Sequence, residues 1–70
     1  MPIAIAPINT SLKIIKILVD EKTKRHLENL GIFVNASVLV LAKNDGSIII
    51  KVKDGRLAIN KETALKILVG

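Results

Sequence analysis

The sequence has no cysteine, no tryptophan and no tyrosine, and its only aromatic side chain is Phe33. Without cysteine there can be no disulfide bond and no thiolate metal site, and a cytoplasmic location is the default expectation. The lack of aromatic residues disfavours single-strand RNA readers, which stack bases on aromatic rings, and proline-recognising grooves, which aromatic side chains line. Phe33 lies between Ile32 and Val34, and we expect it in the core.

Long hydrophobic runs are also missing, although half of the 70 residues are apolar. Residues 38–42 form one of the longest unbroken runs, whereas a membrane-spanning helix needs about 20 apolar residues. A domain of this size buries only about 60% of its unfolded surface, so its core must be rich in aliphatic side chains. The sequence therefore predicts one domain over residues 1–70 that is stabilised by packing.

The chain carries a net charge of +5, from 11 basic and 6 acidic residues, but it has no block of basic residues. The segment 20–30, for example, holds three residues of each sign. A moderate positive field favours acidic partners or an anionic membrane surface through electrostatic steering. The charge alone does not choose between these two partners.

Residues suited to catalysis or metal binding are few. His26 is the only histidine, and a zinc site would have to combine it with carboxylates alone. Glu28 lies two residues away, and side chains at that spacing on a helix do not face each other. The hydroxyl residues have no nearby base at a recognisable spacing, and the glycines are too scattered for a phosphate-binding loop. We therefore expect an exposed His26 and a protein that is not an enzyme and holds no metal or cofactor.

The first half of the chain predicts a long strand followed by a capped helix. Residues 12–19 are rich in β-branched side chains and apolar on both faces, as expected in a small closed barrel. Asp20 provides an N-cap oxygen, and the helix that follows carries Leu27 and Leu30 on one face. Gly31 then supplies the left-handed residue that commonly ends a helix.

The second half predicts short strands joined by tight turns. Asn35 tolerates positive φ and precedes a strand over residues 37–43. The segment 44–47, with Gly46 in the turn, is the strongest hairpin signal in the chain. Period-2 alternation then indicates a strand from residue 48 to residue 53. Its predicted core face consists of Ile48, Ile50 and Val52.

The end of the chain predicts a second turn at Asp54 and Gly55, a last short strand over residues 56–59, and a final helix. Asn60 caps this helix, which we expect to extend to Leu68. With an extended N-terminal piece as the fifth strand, the order of elements predicts a small, mainly β, SH3-like barrel. It has one short helix after the first long strand and a C-terminal helical turn. An OB-fold is the nearest alternative, although it needs longer strands.

The chain resembles the FeoA family along its whole length. The resemblance rests on the strand ending at Asp20, the helix closing with Leu30 and Gly31, the hairpin, and the segment 55–59 before the final helix. FeoA sequences typically have Pro-Gly after the first helix, where this chain has Val34 and Asn35. The left-handed tolerance of asparagine should preserve that turn.

This resemblance implies a small SH3-like accessory protein of bacterial ferrous iron uptake. Such a protein contacts FeoB, a GTPase-bearing ferrous iron transporter, from the cytoplasm and is thereby peripheral at the inner membrane. A similar domain ends the iron- and manganese-dependent repressors of the DtxR type, but this chain has no helix-turn-helix, so we do not expect repressor activity.

We expect partner binding through an exposed apolar patch ringed by basic residues. The residues assigned to this role are Arg25, Leu30, Lys51, Lys53 and Arg56. Two alternatives from other classes stay open, namely an RNA-binding barrel that contacts phosphates and a structural module that forms homo-oligomers. Nucleic acid is the less favoured partner because the stacking platform is missing.

Overall fold

The computed structural model describes residues 1–53 and 55–70. They contain five strands and two short α-helices. The elements in chain order are a 3₁₀ turn at Ile3–Ile5, β1 Ser11–Ile17, α1 Glu21–Asn29, β2 Ser37–Asn44, β3 Ser47–Val52, β4 Gly55–Asn60, α2 Lys61–Leu65 and β5 Ile67–Val69. All neighbouring strands are antiparallel, and the sheet order is β4-β3-β2-β1-β5. No described helix is long and apolar enough to cross a membrane.

One aliphatic core holds the domain together. It receives side chains from both helices, all five strands and the N-terminal turn, and the described residues bury no polar side chain in it. The predicted core face of β3 is confirmed, since Ile48, Ile50 and Val52 are each at most 4% exposed. Because strand side chains alternate between faces, the opposite face of β2 and β3 is less buried, with Leu39 and Ile49 half-buried and Lys51 exposed.

Both ends of α1 follow the prediction. Asp20 is the N-cap, and it accepts hydrogen bonds from the Thr23 hydroxyl at 2.6 Å and the Thr23 backbone N–H at 3.3 Å. At the other end Gly31 has φ +95°, and the Gly31 and Ile32 N–H groups donate to the carbonyls of Glu28 and Leu27. This is the Schellman pattern, in which a left-handed glycine lets the chain satisfy the last helical carbonyls.

The other turn residues named from the sequence also have positive φ, although Gly55 is the first residue of β4. Asn35 has φ +75°, Gly46 has φ +80° and Gly55 has φ +141°. The Asn35 N–H donates to the Ile14 carbonyl at 2.7 Å, which ties the segment after the helix to β1. Asp54, the other residue of the predicted second turn, lies outside the described residues.

The predicted fifth strand is in the wrong place. The N-terminal segment forms a 3₁₀ turn and only one isolated bridge, between Pro2 and Leu68, because proline cannot donate to a strand ladder. The fifth strand is β5, so the prediction of a final helix reaching Leu68 is also wrong. α2 ends at Leu65, and mutual hydrogen bonds of 3.0 Å between Lys13 and Gly70 extend the pairing of the C-terminus with β1.

Two expectations about burial are also wrong. Phe33 is 46% exposed, because Ile32 takes the core position that follows the helix cap. β1 is not buried on both faces, since Ile14 is fully buried while Ile15 is 57% exposed. A register shift between Ile14 and Lys16 interrupts the pairing of β1 with β5 and leaves Ile15 facing outward.

Candidate functional site

A row of four side chains crosses the solvent face of the sheet. The strand registers place Ser11 opposite Leu39, Leu39 opposite Lys51, and Lys51 opposite Arg56. Leu39 is half-buried, and the other three residues are exposed. Their neighbours along each strand point into the core, so the alternation of the strands holds this row on the outside.

Lys51 and Arg56 form the closest kind of cross-strand pair. The Lys61 N–H donates to the Gly46 carbonyl at 3.0 Å, which makes the adjacent Ser47–Asn60 pair a non-hydrogen-bonded one. Because the two kinds of pair alternate, Lys51 and Arg56 also occupy a non-hydrogen-bonded pair, in which side chains approach most closely. Like charges directly opposite one another destabilise a sheet. The register therefore places two like charges at directly opposite positions of the sheet.

An apolar groove adjoins this row. It has a volume of about 490 Å³ and is lined by Gly31, Phe33, Asn35, Ala36, Ser37 and Lys53. A shallower depression of about 290 Å³ lies over the row and is lined by Ser11, Ser37, Val38, Leu39, Lys51, Val52 and Lys53. Ser37 and Lys53 line both concavities, so the two adjoin each other.

We call these two adjoining concavities and their border the docking face. Phe33, Ser37, Leu39, Lys51 and Lys53 line the concavities. The border consists of Arg56, which pairs with Lys51, and of Leu30 and Val34, which adjoin the lining residues Gly31, Phe33 and Asn35 in the chain. Its three most exposed apolar side chains, Leu30, Phe33 and Val34, follow one another closely after α1 and are 40%, 46% and 44% exposed. Lys53 lines the groove together with Phe33, Lys51 lines the adjoining depression, and Arg56 pairs with Lys51, so the docking face combines an apolar groove with basic residues.

The helix cap brings the apolar part of the docking face against the basic part. A Cβ atom at Gly31 would lie 3.4 Å from Cγ2 of Val52, so the chain passes β3 closely just after α1. Val52 is the last residue of β3, and Lys53 follows it directly. The left-handed conformation of Gly31 therefore places Phe33 and Lys53 on the same groove.

The predicted partner-binding residues divide into two groups. Lys51 and Lys53 line the concavities, Arg56 pairs with Lys51, and Leu30 precedes the glycine that lines the groove. Arg25 is exposed on α1 but lines neither concavity. Sequence reasoning missed Phe33, Val34 and Leu39. The cap offered a signal for Phe33, since a Schellman motif buries the residue after the glycine, here Ile32, and leaves the next one free to point outward.

The docking face carries few types of polar side chain. Its polar groups are ammonium, guanidinium and hydroxyl groups, and His26 is exposed on α1 as predicted. Within residues 1–53 and 55–70, no three side chains of the metal-binding types cluster together. The hydrogen bond from the Thr23 hydroxyl, followed by that from the Thr23 N–H, lowers the pKa of Asp20. Asp20 is a helix cap and does not belong to the docking face.

Other exposed apolar side chains lie on different elements. Ile5, in the N-terminal turn, is 64% exposed, and Leu65, at the end of α2, is 48% exposed. The N-terminal turn packs against α2. Leu65 therefore offers a comparison for Phe33, with similar exposure on an element outside the docking face.

Comparison with known proteins identifies the architecture. The model of the FeoA domain family matches residues 1–70. The crystal structure of an iron uptake regulatory protein (FeoA) is 27% identical, with a TM-score of 0.87, and the match covers 100% of this chain and 93% of that one. No curated protein matches the chain significantly.

Two more distant structures share the fold. FeoA of Stenotrophomonas maltophilia, solved with zinc and described as an SH3 domain protein, is 22% identical with a TM-score of 0.79, covering 100% of this chain and 89% of that one. A manganese-dependent transcriptional repressor is 19% identical with a TM-score of 0.89, and all of this chain matches 35% of the repressor. The predicted SH3-like fold is thus confirmed.

Proposed function

Because the chain belongs to the FeoA family over its full length, we propose that it is a non-catalytic accessory protein of ferrous iron uptake. It binds a FeoB-type membrane GTPase transporter from the cytoplasm through the docking face, and it reaches the inner membrane through that partner. The observation that most directly supports this proposal is that the apolar groove beside Phe33 shares Lys53 with the depression lined by Lys51, which pairs with Arg56.

The two parts of the docking face have different roles in this proposal. Contiguous exposed apolar surface marks interaction sites, and burial of Leu30, Phe33 and Val34 provides most of the affinity. Cations at the border of an interface mainly raise the association rate and orient the partner. Added salt should therefore slow association while much of the affinity is preserved.

The test is a binding measurement between the purified protein and detergent-solubilised transporter. Phe33→Ser removes apolar surface from the groove, whereas Leu65→Ser makes the same kind of change at a similarly exposed site outside the docking face. We expect Phe33→Ser to weaken binding about three- to tenfold, since fully burying a large apolar side chain contributes about 1.5–3 kcal/mol and about half of Phe33, 46%, is exposed before binding. Leu65→Ser should bind like the unchanged protein. The reverse result would place the interface on the face that carries Leu65.

The exposure of Phe33 also favours a second candidate function. An aromatic ring beside Lys53 is a platform on which one RNA base can stack while the lysine contacts phosphate. Homopolymer RNA is therefore titrated in parallel, because phosphate contacts make the affinity for single strands fall steeply with salt. Tight, salt-sensitive RNA binding without transporter binding would support this second function and contradict the first.

Formation of a homo-oligomer through the same surface is the third candidate function. Light scattering on the free protein and on Phe33→Ser tests it. A dimer that the substitution dissociates, together with no association with the transporter, would identify a second copy as the natural occupant of the groove.

A further inference from the structure

The two edges of the sheet differ in whether another segment covers them. At one edge, the N-terminus covers β5: the Val69 N–H donates to the Met1 carbonyl at 2.7 Å, and the Met1 ammonium donates to the Val69 carbonyl at 2.9 Å. At the other edge, β4 pairs with β3 alone among the described strands. An open strand edge is a template on which another chain can add a strand.

The register shows which backbone groups this open edge presents. Ile48–Ile59 and Ile50–Leu57 are the hydrogen-bonded pairs between β3 and β4, because they alternate with the non-hydrogen-bonded Ser47–Asn60 pair. The N–H and C=O groups of Leu57 and Ile59 therefore point toward β3. Those of Arg56 and Ala58 point away from it, toward solvent.

The side chains beside this edge are basic. Arg56 and Ala58 are exposed, and Lys51 stands opposite Arg56 with Lys53 in the turn beyond. By sequence, residues 47–60 hold three basic residues and one acidic residue, Asp54, which lies outside the described residues. A carboxylate placed opposite Arg56 would offset the repulsion from Lys51, since opposite charges in cross-strand pairs are favourable.

We propose that the outer edge of β4 binds an extended acidic segment of a partner protein as an added strand. The backbone groups of Arg56 and Ala58 hydrogen-bond to the segment, and its carboxylates face Arg56, Lys51 and Lys53. A second copy of this chain is the weaker occupant, because it would bring another basic strand to a basic edge. The proposal rests on the proposed docking function, to which it adds the chemistry of the partner segment.

Hydrogen exchange on ¹⁵N-labelled protein tests the pairing residue by residue. The probe is a short, N-acetylated and C-amidated peptide that alternates glutamate with valine. We expect it to slow exchange of the Arg56 and Ala58 amides and to leave Leu57 and Ile59, already bonded to β3, nearly unchanged. A peptide with lysine in place of glutamate should have no effect. Equal slowing by both peptides, or protection that does not alternate along β4, would overturn the proposal.

A pair of substitutions at Ala58 separates the backbone from the side chain. Ala58→Pro removes the outward N–H without removing a bond to β3, and proline is tolerated at such edge positions. Ala58→Val keeps the N–H and suits a strand. We expect Ala58→Pro to weaken peptide binding at least tenfold and Ala58→Val to bind like the unchanged protein. If Ala58→Pro does not fold, a fully N-methylated acidic peptide replaces it, and binding of that peptide contradicts the proposal.

Charge variants test the choice of an acidic segment. Arg56→Gln should weaken binding of the glutamate peptide by up to about fivefold, the upper end of the range expected for one cross-strand charge pair. Lys43→Gln is the control, because Lys43 lies on β2 opposite Ile48 and away from this edge. An equal effect of the two variants would mean that only net charge attracts the peptide.

The transporter assay keeps this inference distinct from the proposed function. If Phe33→Ser weakens association with the transporter and Ala58→Pro does not, the docking function stands and strand addition is wrong. If neither variant weakens association with the transporter, the docking function is wrong as well. Loss of binding with both variants supports the two together.

Discussion

Gly31 lies close to the Val52 side chain where the helix cap meets the sheet. A Cβ atom at Gly31 would lie 3.4 Å from Cγ2 of Val52, and φ at Gly31 is +95°. The nearby Val52 side chain limits the size of a side chain at position 31. The positive φ limits which residues can adopt the conformation of Gly31. Because Phe33 follows Gly31 and Lys53 follows Val52, this contact also sets the distance between the apolar and basic parts of the docking face.

Replacement of Gly31 by valine should destabilise the protein by more than about 1 kcal/mol, because a β-branched residue resists a left-handed conformation. Chemical denaturation measures the change in the free energy of unfolding. Gly46→Asn is the control, since φ is +80° there, nothing lies within 4 Å of an added Cβ, and asparagine tolerates the left-handed region. Equal losses in the two variants would mean that the contact with Val52 and the helix end have no special role.

The pKa of Asp20 predicts how stability depends on acid. Hydrogen bonds from the Thr23 hydroxyl and N–H favour the carboxylate and lower the pKa below its ordinary value of 3.8. A carboxyl with a lowered pKa in the folded state contributes stability above its unfolded pKa and loses it as pH falls through the folded pKa. Asp20→Asn keeps a capping side chain that does not titrate.

We therefore expect the melting temperature of the unchanged protein to fall relative to that of Asp20→Asn as pH drops below 3.8. Thermal melts of both proteins across the acid range provide the measurement. Thr23→Val removes the hydroxyl that makes the shorter hydrogen bond and should reduce the difference. Parallel pH profiles for Asp20→Asn and the unchanged protein would contradict the assigned cause.

His26 should not give this protein a tight transition-metal site. The chain has one histidine and no thiolate, and a zinc site is usually completed by four such ligands. Calorimetric titration with Zn²⁺, and with Fe²⁺ under anaerobic conditions, should show no stoichiometric submicromolar binding. His26→Ala is the diagnostic variant. A tight site that this substitution abolishes would contradict the prediction.

The sequence predicted those parts of the fold that single residues determine. Asp20 has a capping oxygen, Gly31 and Asn35 tolerate positive φ, and these properties act locally whatever the rest of the chain does. β5 depends instead on pairing between distant segments, as in the hydrogen bonds between Lys13 and Gly70. Residues 67–69 are too few to distinguish a short strand from the end of a helix by periodicity.

The docking face also depends on pairing between segments that single residues do not reveal. Lys51, Lys53 and Arg56 were predicted as partner-binding residues, but their proximity follows from the β3–β4 register, which a pattern of single residues does not contain. The exposure of Phe33 depends on which of three successive apolar residues the helix cap turns inward. Ile32 took the core position, and the more common interpretation of a lone aromatic residue was therefore wrong.

The repulsion between Lys51 and Arg56 leads to a final prediction, in which stability and binding change in opposite directions. Lys51→Glu replaces a like-charge cross-strand pair with an oppositely charged one, so it should raise the free energy of unfolding by about 0.2–1 kcal/mol. The same change places a carboxylate on the docking face and should slow association with an acidic partner, most clearly at low salt. Lys43→Glu, an equal change of charge opposite Ile48, should do neither. Denaturation curves and association rates of the two variants measure both effects.

If Lys51→Glu stabilises the protein and leaves transporter association unchanged, the paired cations are not part of the interface. If it slows association as expected, the docking face retains an unfavourable charge pair because the partner requires it, as stabilising changes at functional sites commonly reduce function.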